Sequence, residues 1–154
     1  MATMEKKVTA INTGVYKIAA FTALGMIVFF LLMKLMGLVT IVELRFFNFF
    51  IMFIGIRYKL LEARRANNGK LEYLQAMLTG FLTSLFTAVF FAIFIFIYLN
   101  IDRSFLEFIK ATQPFGSYIS PPSAALITVI EGVAGGSIIT FAMTHILNRD
   151  GDQG

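Results

Sequence analysis

From Leu71 to Leu99 the chain reads LEYLQAMLTGFLTSLFTAVFFAIFIFIYL. A helix needs about 20 mostly apolar residues to cross a hydrocarbon layer roughly 30 Å thick, and this run exceeds that minimum, so it should tilt or protrude from the membrane. The rest of the chain supplies three further blocks of the same kind. The first runs over residues 16–33, bracketed by Lys17 and Lys34, whose long stems can snorkel to the two membrane surfaces. Lys6 and Lys7 resemble the start of a secretory signal, but no small-x-small cleavage site follows Met33. Gly37 marks a tight turn before a second block, 38–56, and the fourth covers 123–147, with Pro121 and Pro122 at its start, where missing backbone donors cost least.

Composition agrees. The 154 residues are 58% hydrophobic and 14% charged, far from the quarter or so charged that is usual in soluble domains. With no cysteine, disulfides, thiolate catalysis and cysteine metal sites are excluded, and a single histidine, His145, makes no metal site alone. His145 reads as a residue suited to the negative end of its helix. The net charge of +4 does not point to nucleic acid, because the basic residues gather between the apolar blocks, where a membrane protein keeps its cytoplasmic charge.

Counting lysine and arginine sets the orientation. Lys6, Lys7, Lys17, Arg57, Lys59, Arg64, Arg65, Lys70 and Arg149 fall on one side and Lys34, Arg103 and Lys110 on the other, which places both termini in the cytoplasm. Tyr16, Tyr58, Tyr73, Tyr98 and Tyr118 all fall at block ends, where tyrosine is favoured. The domain plan is therefore a cytoplasmic tail at 1–13, a membrane domain at 14–147 and a second cytoplasmic tail at 148–154. The stretch from Arg57 to Lys70 reads as a cytoplasmic extension of the second helix closed by Asn67-Asn68-Gly69. Between the third and fourth blocks, Arg103, Glu107 and Lys110 share one helical face and Phe105, Leu106, Phe108 and Ile109 the other. That is the pattern of a short helix lying in the interface, followed by an irregular loop over 113–122. The fold class expected is all-α: a four-helix transmembrane bundle with an interfacial amphipathic helix between helices three and four.

Small residues predict which helices touch. Ala76, Gly80, Ser84, Ala88 and Ala92 recur every four residues along the third block, and Gly132 and Gly136 form a G-x-x-x-G in the fourth, beside Ala134 and Gly135. These two helices are expected to meet closely, or to serve dimerisation through the same face. Charges inside the membrane cost about 2.5–3.5 kcal/mol even on the lenient scale, so Glu43, Arg45, Asn48 and Glu131 need partners. At 1.5 Å per residue, Arg45 and Glu131 both lie about 12–14 Å below one surface. They are expected to form an ion pair joining helices two and four, with Asn48, on the face of Arg45, completing the hydrogen bonds. Glu43 points about 200° away from Arg45 and is the better candidate for a titratable group.

The segments Glu43-Leu44-Arg45-Phe46-Phe47-Asn48, Gly55-Ile56, Tyr73-Leu74 with Gly80, and Glu131-Gly132 resemble those of a group of small bacterial four-span inner-membrane proteins of unknown function. The resemblance covers most of the chain. It implies four spans and a bacterial inner membrane, and it carries no activity, cofactor or substrate. No P-loop, G-x-G-x-x-G, H-E-x-x-H or G-x-S-x-G pattern occurs. The expected role is a non-enzymatic accessory, assembly or structural subunit of a larger membrane complex, with the lipid bilayer and either a protein partner or a second copy as its partners. The alternative is a small oligomeric transporter or channel using Glu43 or Glu131. A lipid-acting enzyme would need a second convergent acid, base or metal ligand.

Overall fold

The computed structural model describes residues 2–38, 46–113 and 115–149, with side chains from Gly14 onward. Five α-helices are described: α1 (Ala2–Leu35), α2 (Phe46–Ala66), α3 (Tyr73–Ile101), α4 (Arg103–Thr112) and α5 (Pro121–Arg149). The fold is all-α. Three of these helices are long and apolar enough to cross a membrane: Gly14–Leu35 of α1, Tyr73–Ile101 of α3 and Pro121–Arg149 of α5. The second expected block is described only from Phe46, so its first half lies outside the described residues. Residues 2–13, expected as a tail, are helical and continuous with α1, and the expected loop at 113–122 contains a 3-10 turn, Gly116–Tyr118, and the first turn of α5.

Each helix ends where its local chemistry requires. Gly37 takes φ +70°, the N–H of Leu38 bonds the Met33 carbonyl at 2.9 Å and that of Gly37 bonds Lys34 at 3.1 Å. These two bonds absorb carbonyls left over at the end of α1. At the end of α2, Asn68 adopts the left-handed region at φ 54°, which asparagine tolerates better than most residues. The Gly69 N–H then returns to the Arg64 carbonyl at 3.0 Å. At the start of α5, Ser120 N–H donates to Ser123 Oγ at 2.8 Å and Ser123 N–H to Ser120 Oγ at 3.4 Å. This reciprocal cap satisfies two donors just where Pro121 and Pro122 supply none.

Packing centres on α3, which lies against α1, α2 and α5, its most extensive interface being with α5. A Cβ placed on Gly80, Gly136 or Gly132 would collide with Thr140, Ser84 or Ala88 respectively, the last at 2.6 Å. Residue numbers fall on α5 as they rise on α3, so the two helices run antiparallel, in contact at every fourth residue. Ala76, Gly80, Ser84, Ala88 and Ala92 on α3, and Gly132 and Gly136 on α5, are all buried. This seam is filled within the chain and is not free for a second copy. Gly135 of α5 meets Phe49 of α2 instead, and Ala134 is exposed. Met52 of α2 caps the seam, its sulfur 3.2 Å from the position of a Gly136 Cβ.

Hydroxyls also enter the interior, one position out of step with the small residues on α3 and in step with Gly132 and Gly136 on α5. Thr79, Thr83 and Thr87 on α3 and Thr140 and Thr144 on α5 are at most 2% exposed. For three of them the bonding is internal to the helix, Thr83, Thr87 and Thr140 each donating to the carbonyl four residues earlier at 2.7 Å, while the Thr144 hydroxyl has no partner among the described residues.

Candidate functional site

Asp102 is the hinge of the site. It is both the last cap of α3, its N–H bonding the Tyr98 carbonyl at 2.8 Å, and the first cap of α4, its Oδ1 accepting the Phe105 N–H at 3.0 Å. An aspartate at this position satisfies an orphan donor and suits the positive end of the helix dipole. Its other oxygen accepts from the Lys34 ammonium at the end of α1 and from the Tyr98 hydroxyl at 3.0 Å. The Lys34 bond, followed by the backbone N–H of Phe105, holds the Asp102 carboxyl down at about 2 from an ordinary 3.8. The Lys34 ammonium also lies 5.0 Å from the Tyr98 ring centre and 5.1 Å from that of Phe105, within reach of both ring faces. Phe30 adds edge-to-face contacts to Phe94, Tyr98 and Phe105 at 5.6, 5.1 and 5.9 Å. One charged residue from α1, one junction residue and four rings thus lock α4 to the end of the bundle.

So fixed, α4 roofs a cavity of about 240 Å3. Its polar edge carries Glu107 bonded to Lys110 at 2.9 Å, while Phe105, Phe108 and Ile109 face the space below. The walls come from Met26, Phe30 and Met33 of α1 and Phe91, Ile95 and Leu99 of α3. Below lie Phe49 and Met52 of α2 and Gly132 of α5. Phenylalanine and methionine give smooth, adaptable apolar walls.

Two of the polar residues singled out from the sequence line this cavity, Asn48 from α2 and Glu131 from α5. Asn48 Oδ1 is buried and accepts no hydrogen bond among the described residues, so it does not complete a hydrogen-bond network there. Glu131 is exposed, and the ion pairs among the described residues are Lys34–Asp102, Lys59–Glu62 and Lys110–Glu107, none of which includes it. Glu43 and Arg45 lie outside the described residues, and the expected Arg45–Glu131 pair with them. Thr112, Gln113 and Thr128 complete the polar part of the lining, although the Thr112 and Thr128 hydroxyls already donate to the carbonyls of Phe108 and Ala124. His145 is exposed near the end of α5.

Reading the sequence did not single out Asp102 or Lys59. Lys59 is only 4% exposed, its ammonium 3.0 Å from Glu62 and packed against Gly14 of α1. The signal for it was present as the spacing of Lys59 with Met52, Gly55 and Ile56, the buried face of α2. No group of three or more metal-ligating side chains occurs among the described residues.

Comparison with known families gives one match: a model described as a protein of unknown function, DUF4199, matches residues 17–149. No curated protein and no solved structure matches the chain.

Proposed function

Because the chain belongs to the DUF4199 family, whose function is unknown, we propose its role from its own geometry: a non-enzymatic accessory subunit of a larger membrane complex that holds an amphiphilic ligand beneath α4. The second span is the 38–56 stretch continuing into α2, making four spans. Both termini lie in the cytoplasm of a bacterial cell, and α4 rests on the outer interface of the inner membrane. The distribution of lysine and arginine supports this orientation, since Lys6, Lys7, Lys17, Arg57, Lys59, Arg64, Arg65, Lys70 and Arg149 fall toward one end of the helices and only Lys34, Arg103 and Lys110 toward the α4 end.

The observation that carries the ligand reading is the cavity itself, lined mainly by apolar side chains and reached by the polar groups of Asn48, Gln113 and Glu131. Concave apolar sites with a few convergent polar groups are where small ligands bind. Extraction from native membranes without detergent, followed by native mass spectrometry, tests it. A protein partner in fixed ratio together with a bound small amphiphile supports the proposal; a bare chain with neither contradicts it. A second reading is a small oligomeric transporter using Glu131, which lines the same cavity, or Glu43. Flux in proteoliposomes that is lost with Glu131→Gln or Glu43→Gln would establish it.

A further inference from the structure

We propose that the cavity under α4 selects a cationic amphiphile, an alkyl chain ending in a protonated amine; this rests on the cavity being a ligand site. Among the described residues, the polar groups that line the space and are not used within their own helices are Glu131, Asn48 and Gln113. Glu131 brings carboxyl oxygens, and Asn48 Oδ1 accepts no hydrogen bond among the described residues. With the side-chain amides of Asn48 and Gln113 also able to donate, oxygen acceptors still predominate. A hydroxyl would satisfy one of them, whereas an ammonium carries three donors and the charge that a carboxylate in this setting lacks. A fatty acid would set a second carboxylate against the first, which low polarity penalises.

The walls fit the remainder of such a molecule. Phe30, Phe91 and Phe105 and the methionines Met26, Met33 and Met52 leave room for an alkyl chain, and the faces of the phenylalanine rings attract a cation passing toward the carboxylate. Alkylamines are protonated at neutral pH, as the lysine side chain is. The internal rival for Glu131 is Arg45. If Arg45 neutralises Glu131, the cavity has no preference for an added cation.

The test uses the full chain in phosphatidylcholine nanodiscs, with radiolabelled decylamine as probe and protein-free discs as the blank for lipid partition. Unlabelled decylamine, decanol and decanoate, equal in chain length, compete. Saturable binding is expected, with decylamine at least about tenfold more effective than the other two, a difference of about 1.4 kcal/mol. Glu131→Gln should erase that preference, and Thr128→Phe, which sets a ring into the cavity, should abolish binding. Equal competition by all three, still abolished by Thr128→Phe, overturns the cationic class while the ligand site survives. No saturable binding of labelled decylamine overturns the cationic class, and if labelled decanol and decanoate also fail to saturate, the ligand site falls with it. An amine preference that persists in Glu131→Gln also overturns the proposal. Should that variant fail to fold, the competition series on the natural chain decides.

Discussion

Asp102 ends one helix, begins the next and binds Lys34 and Tyr98 at the same time. Removing its charge should therefore loosen α4 as a unit. Its folded-state pKa is depressed, to about 2 from 3.8, so the sign is fixed: the stabilisation is complete above pH 3.8 and is lost as pH falls through 2. Thermal melts of the natural chain and Asp102→Asn should differ by a constant amount from neutral pH down to that upper value and converge towards the lower one. A gap that stays open at the acid end would contradict the clamp. The side chains of Lys34 and Asp102 are 35% and 24% exposed, so the pair is worth on the order of 1 kcal/mol or less. Lys34 stood out in the sequence as a charge closing an apolar block. Its partner did not, because Asp102 lies 68 positions away and has no periodic neighbours.

Gly14 offers a second test at this scale. The Lys59 ammonium, the tip of a flexible stem, occupies the place where a Gly14 side chain would begin, so Gly14→Leu must move that tip while its partner Glu62, half exposed, can follow it. The melting temperature of this variant should fall in a purified preparation, but by less than that of Gly136→Leu, where a Cβ meets the stem of Ser84. A loss for Gly14→Leu as large as for Gly136→Leu would refute this placement.

At the scale of elements, the antiparallel α3–α5 seam is the frame on which the cavity hangs. Gly136 admits nothing larger, since its position faces the Cβ of Ser84, part of the stem of α3 and not a flexible tip. Gly136→Leu should cost about 1–3 kcal/mol by overpacking, read as a lower melting temperature. Ala134→Leu, on the exposed face of the same helix, should melt within a degree or two of the natural chain, given surface effects of about 0.5 kcal/mol. If both variants melt alike, α3 and α5 do not meet along this line. Small residues every four positions were enough to read the stripe from the sequence, because close approach of two backbones leaves no other choice. The threonines beside them were not read, since a hydroxyl bonded within its own helix leaves no mark on a hydropathy profile.

For the whole molecule, three of the four expected apolar blocks were legible as the long helices α1, α3 and α5, because a hydrocarbon layer demands length and apolarity together; the second block is described only from Phe46. The cavity was not legible. It arises from residues of all five helices, and depth matching addressed only Arg45 and Glu131, a pair that lies partly outside the described residues. Asn48 and Glu131 do share that space, while Glu43 and Arg45 lie outside the described residues. The orientation of the bundle decides whether α4 and the cavity beneath it face the outside of the cell, and it turns on whether the second block crosses the membrane.

The chain contains no cysteine, so single cysteines can be introduced without background. Placed singly at Met36, Asn68, Ser117 and Asn148, they would be treated in intact inner-membrane spheroplasts with a membrane-impermeant maleimide. Four spans with both ends in the cytoplasm require labelling at Met36 and Ser117, and protection at Asn68 and Asn148 until the membrane is opened. Labelling of Met36 and Asn68 alike, with Ser117 protected, would mean that the second block does not cross, leaving three spans and termini on opposite sides.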